Sequence, residues 1–197
     1  MREKTCCFTG HRIIDMPVEA VQKNLETTII KLINNGVIYY GAGGALGFDT
    51  IAALTIIKIR KLYPHIRLIL VLPCKDQTKG WSTYDIESYN YILGQADKVV
   101  YTSNKYYPGC MHKRNRHLVN NSRYCICYKT KDTGGTAYTV KYAVQAGLHI
   151  YNIATNNCKE IWMYIINDFT NRDFTLDEIE EDLHNTNKDN SRFITDL

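Results

Sequence analysis

Six short apolar runs alternate along this chain with longer stretches of helical period, and that alternation limits the fold more than any single motif does. The runs fall at 5–8, 37–40, 66–72, 98–101, 124–128 and 149–153, and none exceeds seven residues. Helices are expected between them at 18–35, 48–63, 83–95, 111–121 and 136–146, with another at 159–169. In the first, Val21, Leu25, Thr28, Ile29 and Leu32 share one face, and Asn34, Asn35 and Gly36 supply the stop. Strands separated by helices pair in parallel and are covered on both sides. The expected fold is therefore α/β: a single doubly wound, mainly parallel sheet with helices on both faces.

Length and charge narrow the picture. A chain of 197 residues is long enough for one buried core and marginal for two. One domain is expected over 1–169. Residues 170–197 then form an acidic helical tail, partly flexible, with a helix at 176–183. That tail holds eight acidic and three basic side chains, so a net charge of +4 conceals +9 on the remainder. A basic body suits anionic ligands or nucleic acid, although a solvated basic surface accounts for the same balance. No apolar run reaches the roughly 18–20 residues of a membrane span, and "MREKTCCFTG" is too soon polar for a signal peptide. The seven cysteines are odd in number and include no CxxC pair. Cys125 and Cys127 are read as facing opposite ways, against a shared metal. Reduced thiols, a cytoplasmic location, no metal, no cofactor and no membrane partner are the expectation.

In sheets of this kind ligands bind where strand-end loops converge. Four such segments stand out: "FTGHR" with Thr9, Gly10 and Arg12; "GAGGALGFD" with Gly43, Gly44, Gly47 and Asp49; "MHKRNRHLVNNS" with Arg114 and Arg116; and "TKDTGGTAYTVKYA" with Gly134, Gly135 and Thr136. Glycine ahead of a helix start exposes unpaired N–H groups at the positive end of the helix dipole, which is a phosphate site. The spacing is neither that of a dinucleotide fingerprint nor that of a P-loop. Each residue also has a plainer reading. Thr9 either contacts phosphate or caps a turn, and Arg12 either holds an anion or lies over the surface. Asp49 either bonds a ribose hydroxyl or favours the helix dipole. Arg114 and Arg116 either neutralise a ligand or form a solvated face, and Trp81 either covers a base or packs. His11 is taken as structural, and Tyr89 and Tyr91 as packing residues.

Together, "CCFTGHR", "GGALGFD", "KGW" with "YNYILGQADKVV", and "RNRHLVNNSRYCICY" leading to "GGTAYTVKYA" resemble the SLOG superfamily and, within it, the YpsA-like family. The resemblance covers about 5–153 and implies a Rossmann-like domain that binds a nucleotide or an ADP-ribose derivative, sensing or sequestering it. Its relatives imply two alternatives. Likeness to the DNA-processing protein DprA implies binding of single-stranded nucleic acid. Likeness of "MHKRNRHL" to the LOG enzymes implies a nucleoside-monophosphate glycosidase with Arg114 as a catalytic arginine. The glutamate that pairs with it in LOG enzymes has no counterpart from 133 to 143, and glycosidic cleavage needs such a group. The catalytic residue is thus left unassigned and the reading leans away from an enzyme. The superfamily also implies a homo-oligomer.

Overall fold

A computed structural model describes residues 1–154; the helices expected at 159–169 and 176–183, the tail and Cys158 lie outside them. A 3-10 turn at Arg2–Lys4 precedes eleven elements. These are β1 (Thr5–Gly10), α1 (Val18–Asn34), β2 (Tyr39–Ala42), α2 (Phe48–Ile59), β3 (Arg67–Leu72), α3 (Thr83–Gln95), β4 (Lys98–Tyr101), α4 (Cys110–Asn120), β5 (Tyr124–Tyr128), α5 (Gly134–Gln145) and β6 (His149–Asn152).

All six strands pair in parallel, in the order β4-β3-β2-β1-β5-β6. This is the expected Rossmann-like α/β sheet. Every strand's carboxyl end therefore lies along one edge. The chain winds from β1 outward to β4, then returns to the far side of β1 for β5, so the order reverses between β1 and β5. At such a reversal the outgoing loops diverge and leave a crevice.

Side chains alternate across the strands with period two. On β1, Cys6 and Phe8 join the core beneath α1 and α2, whereas Cys7 joins the core beneath α4 and α5. On β5, Ile126 and Tyr128 face α1 and α2, while Cys125 and Cys127 both face α4 and α5. The opposite-face reading of the two cysteines is thereby corrected: residues two apart on a strand share a face. All six described cysteines are buried and free. Burial raises the thiols of Cys6 and Cys127, the latter to about 12.

Aromatic rings fix the centre of the larger core. Phe8 lies 6.1 Å from Tyr40 and 6.4 Å from Phe48, and Phe48 lies 6.0 Å from Tyr128. The Tyr128 hydroxyl accepts from the Asp15 and Met16 N–H groups, each at 3.2 Å, and so ties the β1–α1 loop to β5. On the opposite face Gly41 lets α4 approach, since a Cβ there would stand 2.8 Å from Leu118 Cδ2. Among the described residues no helix is long and apolar enough to cross a membrane.

Candidate functional site

The glycine-rich turn after β2 is closed by the protein itself. Asp49, in the first turn of α2, reaches back so that its Oδ2 accepts from Gly43 N–H at 3.1 Å, Ala45 N–H at 3.3 Å and Arg114 Nη1 at 3.2 Å. Both members of this ion pair are only 7% exposed. Burial raises the Asp49 carboxyl above its ordinary value, while Arg114 and the Ala45 and Gly43 amides pull it back. A Cβ on Gly43 would overlap the Arg114 guanidinium, and one on Gly47 would overlap the Arg12 carbonyl oxygen. At Gly44 it would stand 2.6 Å from Leu72 Cδ2, and at Gly10 2.5 Å from the Phe48 ring. Gln77 donates its side-chain amide to the Gly44 carbonyl.

Three of the expected site residues find partners within the protein. The Gly43 amide, expected to take phosphate, is occupied by Asp49. The Asp49 oxygen expected at a ribose hydroxyl gathers three donors from within the protein. Arg114, expected as a neutralising charge, is buried against Gly43 as the partner of Asp49, with its Nε lacking a hydrogen-bond partner.

The turn after β5 is different. Gly134 has a φ of +85°, and a Cβ on either Gly134 or Gly135 would meet nothing within 4 Å. Thr133 provides no side-chain cap, so the first-turn amides of α5 lack that partner. Thr136 is buried in that turn, and Thr9 is buried at the end of β1, where its register partner is Cys127. His11 links the two turns: its N–H donates to the Tyr128 carbonyl and its carbonyl accepts from Phe48 N–H, both at 3.2 Å. Its Nε2 is buried without a partner, and burial together with Lys131 and Lys129 lowers its pKa. Arg12 beside it is exposed. The structure thus brings Thr9, Gly10, Arg12, the glycine turn and Gly134–Thr136 to one edge of the sheet.

Trp81 and Arg116 occupy its flanks. Trp81 is half-buried, edge-to-face on Tyr89 at 5.7 Å, and Tyr89 in turn borders Gly44. Arg116, expected behind Arg12 and Arg114, instead donates from Nε to the Tyr138 hydroxyl at 2.8 Å, with its guanidinium 5.8 Å and 5.7 Å from the Tyr138 and Tyr142 rings. Residues two apart on a helix point in nearly opposite directions, which sends Arg114 inward and Arg116 to the α5 seam. Asn115 donates to Thr139 Oγ1 at 2.8 Å, and Thr139 to the Gly135 carbonyl at 2.7 Å, so α4 holds the start of α5 in place. Sequence reasoning misses Gln77 and the unpartnered nitrogen of His11. For His11, its place directly after a strand ending in glycine is the available signal. Among the described residues no group of three or more His, Cys, Asp or Glu side chains is placed to hold a metal.

Comparison with known proteins bears on the family and the fold. The family model YpsA, described as the YspA SLOG family, matches residues 6–161. The chain is 29% identical over 126 residues to UPF0398 protein BH1768 of Halalkalibacterium halodurans, covering 62% of this chain and 67% of that protein. It is 26% identical over 151 residues to a UPF0398 protein of Bacillus thuringiensis, covering 73% and 82%. Two solved structures share the fold. DNA processing protein A of Streptococcus pneumoniae superposes with a TM-score of 0.56 at 14% identity over 88% of this chain, which spans 63% of that one. DNA processing protein A of Helicobacter pylori, solved for its single-stranded DNA binding mode, gives 0.57 at 18% identity, covering 94% and 80%.

Proposed function

Because the chain belongs to the YpsA SLOG family, we propose that its carboxyl rim binds a phosphate-bearing nucleotide or an ADP-ribose-type ligand and holds it rather than transforming it. One observation carries this reading. Four glycines of the rim are filled by protein, whereas Gly134 and Gly135 open onto empty space at the uncapped start of α5. Backbone there can approach an anion closely, with the helix dipole in favour.

The roles follow from position. The amides of Gly134, Gly135 and Thr136 take phosphate oxygens, and exposed Arg12 neutralises their charge. Thr9 offers a hydroxyl at the foot of the crevice. Asp49 and Arg114 act as positioning residues that keep the 43–47 turn in shape, and Trp81 forms an outer wall for a base. The Asp49 carboxylate is engaged by three donors and no carboxylate falls from 133 to 143, which supports holding the ligand over glycosidic cleavage of the LOG type. AMP incubated with the protein is accordingly expected to release no free base.

A second reading takes the phosphates from single-stranded DNA, which the Helicobacter pylori protein binds. Thermal melting against AMP, ADP, ADP-ribose and adenosine tests the first reading. Phosphorylated ligands should raise the melting temperature, by about 2.7 kcal/mol of stabilisation at a hundredfold excess over Kd, and adenosine should not. A panel of phosphates that leaves the transition unmoved overturns it.

A further inference from the structure

His11 stands where the two turns of the rim meet, and its backbone is held from both sides, by the Tyr128 carbonyl at the end of β5 and the Phe48 N–H at the start of α2. The residue is thereby fixed at the crevice where the strand order reverses. Its Nε2 is buried, with no hydrogen-bond partner among the described residues. A buried polar atom left in that state costs free energy.

The charges around the ring are lopsided. The β5–α5 loop brings Lys131, which is exposed and forms no ion pair among the described residues, and Lys129, whose ammonium is paired with Asp132. The β1–α1 loop brings Arg12, exposed and likewise without an ion pair, and a single carboxylate, Asp15. On α2 the acid is Asp49, which Arg114 already engages, and the first turn of α5 holds no acidic or basic side chain. Burial and then Lys131 lower the pKa of the ring, Asp15 opposes them, and Lys129 lowers it further. Without a bound anion the imidazole is therefore neutral at pH 7.

A phosphate on the amides of Gly134, Gly135 and Thr136 brings negative charge to the loop that carries both lysines, and so acts on the ring in the opposite sense. We propose that His11 takes up a proton when the ligand's phosphates bind, so that the rim changes from a neutral imidazole to an imidazolium on filling and holds its ligand more tightly in mild acid. The inference rests on the nucleotide reading of the rim and adds a proton as a second ligand of the same site. Linkage fixes the sign: an anion that raises the pKa of His11 binds the protonated form better. Affinity climbs as pH falls through the pKa of the filled site and levels off below that of the free protein.

Isothermal titration calorimetry of ADP-ribose with the full chain, repeated from about pH 6 to about pH 8 in buffers of different ionisation enthalpy, counts the protons. ADP-ribose suits this test because its pyrophosphate has no proton to exchange in that range, whereas a phosphomonoester such as AMP titrates near a pH of about 6. The wild type should take up a fraction of a proton, at most about one, and bind at least about threefold more tightly at the acid end than at the alkaline end. His11→Gln, which keeps a polar side chain without the titrating ring, should bind with no proton uptake and a flat pH profile. Should that variant fail to fold, the histidine ring resonances of the wild type decide: one pKa should rise on saturation with ADP-ribose, and no rise overturns the proposal. Proton uptake that persists in folded His11→Gln, or wild-type binding equally tight at both ends of the range, overturns the proposal and leaves the nucleotide rim standing. A wild type that binds ADP-ribose at no pH overturns both.

Discussion

Asp49 and Arg114 lie 65 residues apart in sequence and form a buried ion pair at 3.2 Å. Arg114→Ala would leave the Asp49 carboxylate buried with two amides as its only described donors, so a destabilisation of about 3–5 kcal/mol is expected in urea unfolding. Asp49→Asn/Arg114→Met, which removes both charges, should cost much less, and the double-mutant cycle measures the coupling. Loss of ligand binding in Arg114→Ala would accordingly report on folding as well as contact. Histidine makes a second prediction at this scale. Burial lowers the pKa of both His11 and His112 below 6.5. As pH falls below 6.5 the unfolded chain takes up protons that the folded chain still refuses, so stability declines. Melting temperature should drop from pH 7 toward pH 5.5, and His112→Gln should flatten the decline; a profile that the substitution leaves unchanged contradicts this. None of this pairing is legible in the sequence. A carboxylate in a helix's first turn reads as a dipole partner or a ligand contact, because only the fold brings α4 across Gly43.

Among elements, α5 carries the functional claim. Gly135 is not in a positive-φ conformation and has open space where a Cβ would go. Gly135→Val should therefore keep the melt within about 0.5 kcal/mol of the wild type while placing its side chain where the phosphate is expected. Gly43→Ala, whose methyl would overlap Arg114, should instead destabilise the fold by about 1–3 kcal/mol. Chemical denaturation separates the two. The elements themselves are largely legible, since helical period and strand alternation reflect burial, and burial follows from the layers. β4 and β5 fall at their expected bounds. β2 does not: it is expected at 37–40 and runs Tyr39–Ala42. Gly41 reads as the onset of a turn, yet it sits inside the strand because Leu118 of α4 needs the room. The glycine turn misleads for the same reason. A sequence shows that something approaches the backbone closely, but not whether it is a ligand or the protein's own arginine.

At the scale of the molecule, charge is distributed so that residues 1–169 carry +9 and residues 170–197 carry −5. Truncation after Phe169 should speed association of anionic ligands and steepen its dependence on salt; stopped-flow rates equal to those of the full chain would show that the segment's charge does not act on the site. The fold supplies the geometry for such ligands, with the strand order reversing at β1 and β5 and the open helix start beside that reversal. Isothermal titration calorimetry of ADP-ribose and adenine nucleotides against the wild type and Gly135→Val tests this most directly. Saturable binding of a phosphorylated ligand by the wild type, lost or weakened at least about tenfold (~1.4 kcal/mol) in a variant that melts normally, is the predicted result. A folded Gly135→Val protein that binds as tightly as the wild type would contradict it.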